Sequence, residues 1–143
     1  METLEFKTNT KTFSINHDLS RTVSLCPTDC DFIKRLAAAY EKLESLQDQL
    51  RKEPSNSVLD AFNKADAEIR SQIDYAFGAP VSEIVFGNLP TWAASDGFPI
   101  WMNFLLAVFD TCNAEYTAQG NAGNPEIGQL LAKYVNQKRG LFK

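Results

Sequence analysis

Histidine is almost absent from this sequence, which limits the chemistry that the protein can perform. His17 is the only histidine in 143 residues, and it lies in a polar stretch beside Asp18. Nucleophilic catalysis needs a nucleophile, a base and an orienting group within reach of one another. No glycine-rich elbow or oxyanion motif accompanies any cysteine or serine, so we interpret His17 as a solvated loop residue.

Other catalytic signatures are missing as well. The sequence has no phosphate-binding loop, no dinucleotide fingerprint, no zinc-protease motif and no calcium loop. Carboxylates recur between residues 60 and 74, but lysine and arginine are interspersed among them. Such spacing is typical of a solvated helix face. We therefore expect no catalytic residues and no enzyme activity.

Cysteine is scarce and odd in number, with Cys26, Cys30 and Cys112. An odd count without a secretion signal favours reduced thiols over a disulfide framework. Together with His17 they could formally complete a closed zinc site, but the C-x-x-x-C spacing of "CPTDC" is atypical for one. Small, partly buried residues near a helix start are the favoured interpretation, so we expect neither a metal nor a cofactor.

A basic excess and a long apolar run are both lacking. The net charge is −4 and the pI is about 5, which argues against a nucleic-acid or anionic-membrane surface, because phosphate binding depends on clustered Lys and Arg. The single basic cluster, between Lys133 and Lys143, is interpreted as a solvated end. Pro99 and Asn103 interrupt the longest apolar run, so no window reaches the ~18 apolar residues of a membrane span. The start, "METLEFKTNTK", lacks the features of a signal peptide, and the cytoplasm is the expected location.

What the sequence does contain is the composition and the patterning of a small helical protein. Hydrophobic residues make up 44% and charged residues 22%, which is typical of a globular chain of this length. We expect a single domain over 1–143. The fold class predicted from the patterns is mostly α, a compact bundle of about four to five helices with an N-terminal β-hairpin.

The hairpin is predicted within residues 1–26. Leu4 and Phe6 alternate with polar neighbours, the polar "KTNTK" follows, and Phe13 and Ile15 alternate again. Period-2 patterning around a short polar turn indicates two antiparallel strands with the four apolar residues on one face. "TVSL", residues 22–25, is a candidate third strand. Because an isolated hairpin is marginal in water, it should lie on the helices or pair with another chain.

Helical spacing of apolar residues predicts the remaining elements. Thr28 with Asp31 should cap the first helix, Ser57 the second, Asp96 the fourth and Asn124 the last. Gly78 and Gly87 should end the second and third helices as left-handed residues. The fourth helix is apolar on more than half of its circumference and should therefore lie centrally. The predicted ranges are 28–52, 57–77, 80–86, 97–119 and 125–138.

One stretch carries a resemblance to a known family. "IDYAFGAPVSEIVFGNLP…DGFPIWMNFLLAVFD" resembles the tail assembly chaperones of tailed phages that infect Gram-positive bacteria. Members of that family begin with a short β segment and two amphipathic helices, and the second helix ends in a segment like "IDYAFG", followed by one like "SEIVFG". The resemblance covers roughly Leu4 to Arg139 and is sharpest over Ile73–Gly87.

The resemblance implies a binding protein. Such chaperones bind the long, aggregation-prone tape measure protein and keep it soluble in the host cytoplasm while tail tube subunits polymerise around it, and they are absent from the mature virion. The tape measure protein is thus the expected partner, with the tail tube protein and a second copy of the chain as further candidates. No nucleic acid or membrane is expected as a partner.

An apolar stripe on a partner helix would need a groove in this bundle. Trp92 is the least easily explained candidate, because a tryptophan in a loop either fills the core or anchors a partner. The candidate partner-binding residues are Phe77, Val81, Ile84, Phe86, Trp92, Phe98 and Trp101.

Two other functions stay open at this point. The first is a phage structural protein, such as a head–tail completion or minor tail component, which would remain in the particle and form a ring or a higher oligomer. The second is a small helical regulator or an enzyme. A regulator acting on DNA should show a basic helix face, and an enzyme should show a convergent polar pocket.

Overall fold

A computed structural model describes residues 1–52, 58–119 and 125–141. About 62% of the chain is helical, and the described residues form five helices and two antiparallel pairs of strands, which confirms the predicted fold class. In chain order the elements are β1 (Lys11–Ile15), β2 (Asp18–Leu25), α1 (Cys30–Arg51), α2 (Val58–Phe77), α3 (Ser82–Phe86), β3 (Ala94–Ser95), β4 (Phe98–Pro99), α4 (Ile100–Ala118) and α5 (Pro125–Leu141).

The N-terminal hairpin is present, but its strands are not the predicted pair. β1 pairs with β2 from Lys11 opposite Leu25 to Ile15 opposite Asp18. The segment with Leu4 and Phe6 forms no strand, and those two side chains are 91% and 79% exposed. The predicted third strand is therefore the end of β2.

A tight turn explains this shift of the strands. Asn16 and His17 both have positive φ, at 50° and 66°, as the two central residues of a type I′ turn require. Asparagine tolerates that conformation better than most residues, so the chain reverses at this dipeptide and not at "KTNTK". His17 is exposed in the turn.

The capping predictions are wrong at the first helix. Helix α1 begins two residues later than predicted, and its N-cap is Asp29 rather than Thr28. The Asp29 carboxylate accepts hydrogen bonds from the backbone N–H groups of Asp31 and Phe32, at 3.0 and 3.2 Å. Asp29 is the N-cap because it has the extended backbone of a cap residue and because its carboxylate is within reach of both donors.

Helix α4 also begins later than predicted, because residues 94–99 form the short hairpin β3–β4. Asp96 and Gly97 have φ of 56° and 84° and occupy its turn, so Asp96 does not cap the helix. Pro99 is the N-cap and makes no side-chain cap bond. The Ile100 N–H donates instead to the carbonyl of Ala93.

The other helix ends follow the predictions more closely. Helix α2 ends at Phe77 before Gly78, and α3 ends at Phe86 before Gly87, with φ of 68° and 56° at the two glycines. Helix α3 begins at Ser82, not at Pro80, and α5 extends to Leu141. The predicted caps Ser57 and Asn124 lie outside the described residues.

The first two helices are antiparallel neighbours. Phe32 at the start of α1 packs edge-on against Phe77 at the end of α2, with ring centroids 5.1 Å apart. Leu50 at the other end of α1 shares a cavity with Phe62 near the start of α2. Contacts between the start of one helix and the end of the other, at both ends of the pair, show that α1 and α2 run antiparallel.

Helix α4 lies against α1 and α5 in the core, as its apolar circumference predicted. Trp101, 1% exposed, and Phe109, fully buried, meet the Tyr40 ring of α1 at 5.6 and 6.1 Å. Phe109 stacks on Tyr134 of α5 at 4.0 Å. Burial is the main reason that the pKa of Tyr134 rises to about 12. One cluster of buried residues joins β2 and all five helices.

Candidate functional site

The seven residues proposed from the sequence do not share one surface. Val81, Phe86 and Trp101 are buried, with 5%, 4% and 1% of their surfaces exposed. Three others, Phe77, Trp92 and Phe98, are half-buried, and Ile84 is exposed. The three buried side chains fill the core, so a partner that binds this folded state must contact other residues instead.

The stretch that carries the family resemblance forms a corner held by hydrogen bonds. Gly78 has positive φ and turns the chain after α2. Asp74 of α2 accepts hydrogen bonds from both the N–H and the hydroxyl of Ser82, at 2.7 and 3.0 Å. A carboxylate from the preceding helix thus caps α3, and Val81, its N-cap residue, provides no side-chain bond.

The C-terminal end of α3 is held by an arginine of the hairpin. The Arg21 Nε donates to the carbonyl of Ile84 at 2.8 Å, and its Nη2 donates to the carbonyl of Val85. A cation at the negative end of a helix is favourable, and these carbonyls have no partner within the helix. Arg21 therefore joins the hairpin to the corner.

A second group of hydrogen bonds holds the loop after α3. Asp66 Oδ1 accepts from the N–H and the hydroxyl of Thr91, both at 2.7 Å, and its Oδ2 accepts from Arg70 at 3.0 Å. Arg70 also donates to the carbonyls of Gly87 and Leu89 at 3.0 and 2.7 Å. Burial by itself raises the pKa of Asp66, but the bonds from Thr91 and Arg70 outweigh it and hold this pKa below its ordinary value.

A cavity that adjoins this corner lies between the hairpin and α4, and we call it the hairpin groove. It encloses about 490 Å³, within the range for ligand pockets. Its walls are Phe13 and Val23 of the hairpin, Phe86 of α3, and Phe104 and Val108 of α4. Half of the twelve other lining residues are apolar as well, so eleven of the seventeen lining residues suit an apolar partner surface.

The rim of the hairpin groove is more exposed than its walls. Leu89, 59% exposed, and Ala107 lie at its edge. Asn103 donates from Nδ2 to the carbonyl of Ser95 at 3.1 Å, while its buried Oδ1 has no hydrogen-bond partner. A bound segment thus meets an apolar floor.

Three of the proposed residues line a smaller cavity, which we call the Trp92 cavity. It encloses about 190 Å³ between α1, the start of α2 and the β3–β4 hairpin. Trp92, Phe98 and Trp101 line it together with Phe62, whose ring lies 4.8 Å from that of Trp92. Trp92 is therefore a half-buried residue in the wall of a cavity. This position is intermediate between filling the core and anchoring a partner, the two roles considered for it.

Sequence reasoning missed the hairpin residues of the groove and Gln47 of the Trp92 cavity. Phe13 was assigned to a core-facing strand. The cavity between Phe13 and α4 was not predicted, because the two are far apart in sequence. The sequence did contain two signals for the local geometry. Asn16–His17 and Asp96–Gly97 are dipeptides suited to the turns they form.

The three cysteines are free of disulfide bonds, and Cys112 is buried. Burial raises the pKa of the Cys112 thiol to about 12, which keeps it protonated. Within residues 1–52, 58–119 and 125–141, no three side chains of the metal-binding types are grouped to hold an ion. Over the same ranges no helix combines the length and the hydropathy needed to cross a bilayer.

No family model, no curated protein and no solved structure matches the chain. A function for it therefore has to be proposed from its residues and their geometry.

Proposed function

We propose that the protein is a phage tail assembly chaperone that binds the tape measure protein and keeps it soluble during assembly of the tail tube in the host cytoplasm. The observation that carries this proposal is the hairpin groove. It is an apolar depression of about 490 Å³ beside the corner that bears the family resemblance. The tail tube protein is a further candidate partner.

The occupant proposed for the hairpin groove is the apolar stripe of a tape measure helix. An amphipathic helix places apolar side chains at positions i, i+3 or i+4, and i+7 into such a groove. The groove offers Phe104 and Val108 of α4, one helical turn apart, on its floor, with Phe13 opposite them on the hairpin. The acidic net charge of −4 would help to keep the complex in solution.

The experiment is co-expression with the tape measure protein that this proposal requires, a long helical polypeptide encoded beside this gene. We expect wild-type protein to keep that polypeptide in the soluble fraction and to co-purify with it. Ala107→Arg places a long cation at the rim of the hairpin groove, where Ala107 is exposed. Because no core contact is removed, the fold should persist while the soluble yield of the partner falls at least several-fold.

The matched control is Ala114→Arg, also at an exposed alanine of α4 but outside the lining of the groove. It should behave as wild type. Equal solubility with both variants would contradict binding in the hairpin groove. An insoluble partner with every form of the protein would contradict the chaperone function itself.

The structural-protein alternative makes an opposite prediction about phage particles. A chaperone should be absent from purified virions by mass spectrometry, whereas a head–tail completion or minor tail protein should be present in stoichiometric amounts. A slippery sequence near the stop codon, followed by a very long helical reading frame, would further support the chaperone.

A further inference from the structure

Residues 1–7 place two large apolar side chains in solvent, and we call this segment the arm. Leu4 and Phe6 are 91% and 79% exposed, whereas the eight other phenylalanines that the structure describes are buried or half-buried. Leu4 and Phe6 alternate with polar residues, which is the pattern of a strand with one apolar side. Exposed apolar side chains that are grouped in this way mark a site of protein association.

The arm is attached to the body at one point, where the chain enters the hairpin. Asn9 has a positive φ of 61°, and its Nδ2 donates to Thr28 Oγ1 at 3.4 Å. The Cys26 thiol donates to the carbonyl of Thr8 at 3.3 Å. Within residues 1–52, 58–119 and 125–141, no hydrogen bond or ion pair holds residues 1–7. The body therefore fixes the chain at Thr8 and Asn9 and leaves the arm exposed.

The hairpin groove complements the arm in charge as well as in hydrophobicity. Arg21 is the one charged side chain among the described residues that line the groove, and the arm carries Glu2 and Glu5 against Lys7. A guanidinium has five N–H donors, and Arg21 uses its Nε and Nη2 for the carbonyls at the end of α3. Donors therefore remain on Arg21 for a carboxylate of the arm.

We propose that the arm of one copy of the protein binds in the hairpin groove of a second copy, and that the two copies exchange arms. A second copy is the favoured occupant because the arm and the groove are complementary and belong to the same chain. Neither Leu4 nor Phe6 lines the groove of its own chain. Because each copy gives an arm and receives one, the contacts are made twice and the assembly closes as a dimer.

The area that the exchange buries is sufficient for a dimer. An aromatic side chain buries about 150–250 Å², and the groove loses a comparable area to each Phe6. Counted on both sides of two such contacts, Phe6 accounts for about 600–1,000 Å². Leu4 and the backbone of the arm add to this area. The total reaches the lower end of the range of about 1,200–2,000 Å² for a standard interface, so we expect a reversible dimer.

The proposed exchange does not depend on the chaperone function, because it is measured on the purified protein alone. One consequence does rest on that function: the arm and a tape measure helix would compete for the same groove. Phe6→Glu leaves the groove intact and should therefore still keep the tape measure protein soluble. Failure of the exchange and failure of the chaperone function are thus recognised in separate experiments.

Sedimentation velocity over a range of protein concentrations tests the exchange. We expect the mass to rise from the 16.0 kDa of one chain toward twice that value as the concentration increases from about 1 to about 500 µM, a range suited to a small interface. Phe6→Glu should weaken this association by about tenfold or more, because a buried aromatic side chain is lost. Thr3→Glu is the matched control, since it adds the same charge at an exposed position of the arm without removing an apolar side chain.

The groove is tested from its own side with the two variants of α4. Ala107→Arg should weaken the association as Phe6→Glu does, whereas Ala114→Arg should not. Mixing Phe6→Glu with Ala107→Arg should then restore part of the dimer. In this mixed pair, the intact arm of the Ala107→Arg chain meets the intact groove of the Phe6→Glu chain.

Three results would overturn the proposal. One is a mass of 16.0 kDa at every concentration, and a second is a dimer that Phe6→Glu does not weaken. The third is a mixture of the two variants that associates no better than either variant alone, because the arm would then bind elsewhere than in the groove.

Discussion

At the scale of single residues, the half-buried carboxylate of Asp66 determines how the loop after α3 is held. It accepts two hydrogen bonds from Thr91, a fully buried residue, and one from Arg70. These bonds favour the charged form, and they outweigh burial, which favours the neutral form. The loop that carries Trp92 is therefore fixed by an acid.

We expect Asp66→Asn to destabilise the protein by about 1.5–3 kcal/mol at pH 7, the range for hydrogen bonds to a charged group. The pKa of Asp66 is lowered from 3.8 by folding. Its contribution to stability is therefore complete above that value and is lost as the pH falls through the lower pKa of the folded state. Urea unfolding at pH 7 and pH 3 should show a smaller difference between wild type and variant at pH 3.

Asp60→Asn is the control for this experiment, because Asp60 is an exposed acid of the same helix. It should change stability little at either pH. A difference between wild type and Asp66→Asn that is the same at both pH values would contradict the role given to the carboxylate charge.

At the scale of elements, α3 depends on groups from outside itself. It has only five residues, too few for a helix to be stable alone in water. Asp74 of α2 binds its first N–H group, and Arg21 of β2 binds carbonyls at its end. The resemblance to "IDYAFG" and "SEIVFG" thus covers a structural corner in this protein, in which Asp74 and Ser82 are bonded partners.

We expect Asp74→Ala to lower the free energy of unfolding by about 1–2 kcal/mol, as the loss of a helix cap does. The effect should be local, because both bonds of Asp74 go to Ser82. Hydrogen exchange should accelerate at the Val85 and Gly87 amides, which donate to the carbonyls of Val81 and Glu83, and stay unchanged in α5. Asp60→Ala should leave both regions unchanged, and acceleration throughout the chain would contradict a local cap.

At the scale of the whole molecule, one buried cluster joins the hairpin to the five described helices. Tyr40 of α1 lies at its centre, within 6.1 Å of rings from α4 and α5. The Lys11–Glu115 ion pair and Arg21 attach the hairpin to α4 and α3. A core of this kind makes each element depend on the others.

We therefore expect the protein to unfold in one cooperative step, as single domains of this size usually do. Tryptophan fluorescence reports on Trp92 and Trp101, and far-UV circular dichroism reports on all the helices. The two urea curves should coincide. Separate midpoints would contradict the prediction of a single domain over 1–143.

Most of the helices could be predicted from the sequence, and their ends less well. The apolar spacing places α1, α2, α4 and α5 close to their observed ranges, because periodic burial is a local property of the chain. The hairpin strands were misplaced because alternation at Leu4 and Phe6 has the same pattern as alternation in a buried strand. Only contact with the helices distinguishes the two, and Leu4 and Phe6 have none of that burial.

The candidate site was predicted in part for the same reason. The aromatic residues between 77 and 101 were proposed as partner-binding residues, but periodicity does not show which of them face a cavity. Trp92, Phe98 and Trp101 all line the Trp92 cavity, but Trp101 also packs against Tyr40 in the core. Gln47, which also lines this cavity, gave no sequence signal, because a glutamine in a helix is usually exposed.

The sequence by itself determined the helical class, the amphipathic faces and the glycines at which α2 and α3 end, since hydrophobic period and backbone conformation are local. Only the tertiary structure decided which groups cap α3, where the hairpin turns and which walls enclose the two cavities. Arg21 meets Ile84 across 63 positions of sequence, and Phe13 shares a groove with Phe104. Such pairings depend on how the elements pack, because a polar group or a ring contacts the residues that packing places next to it, and these can be far away in sequence.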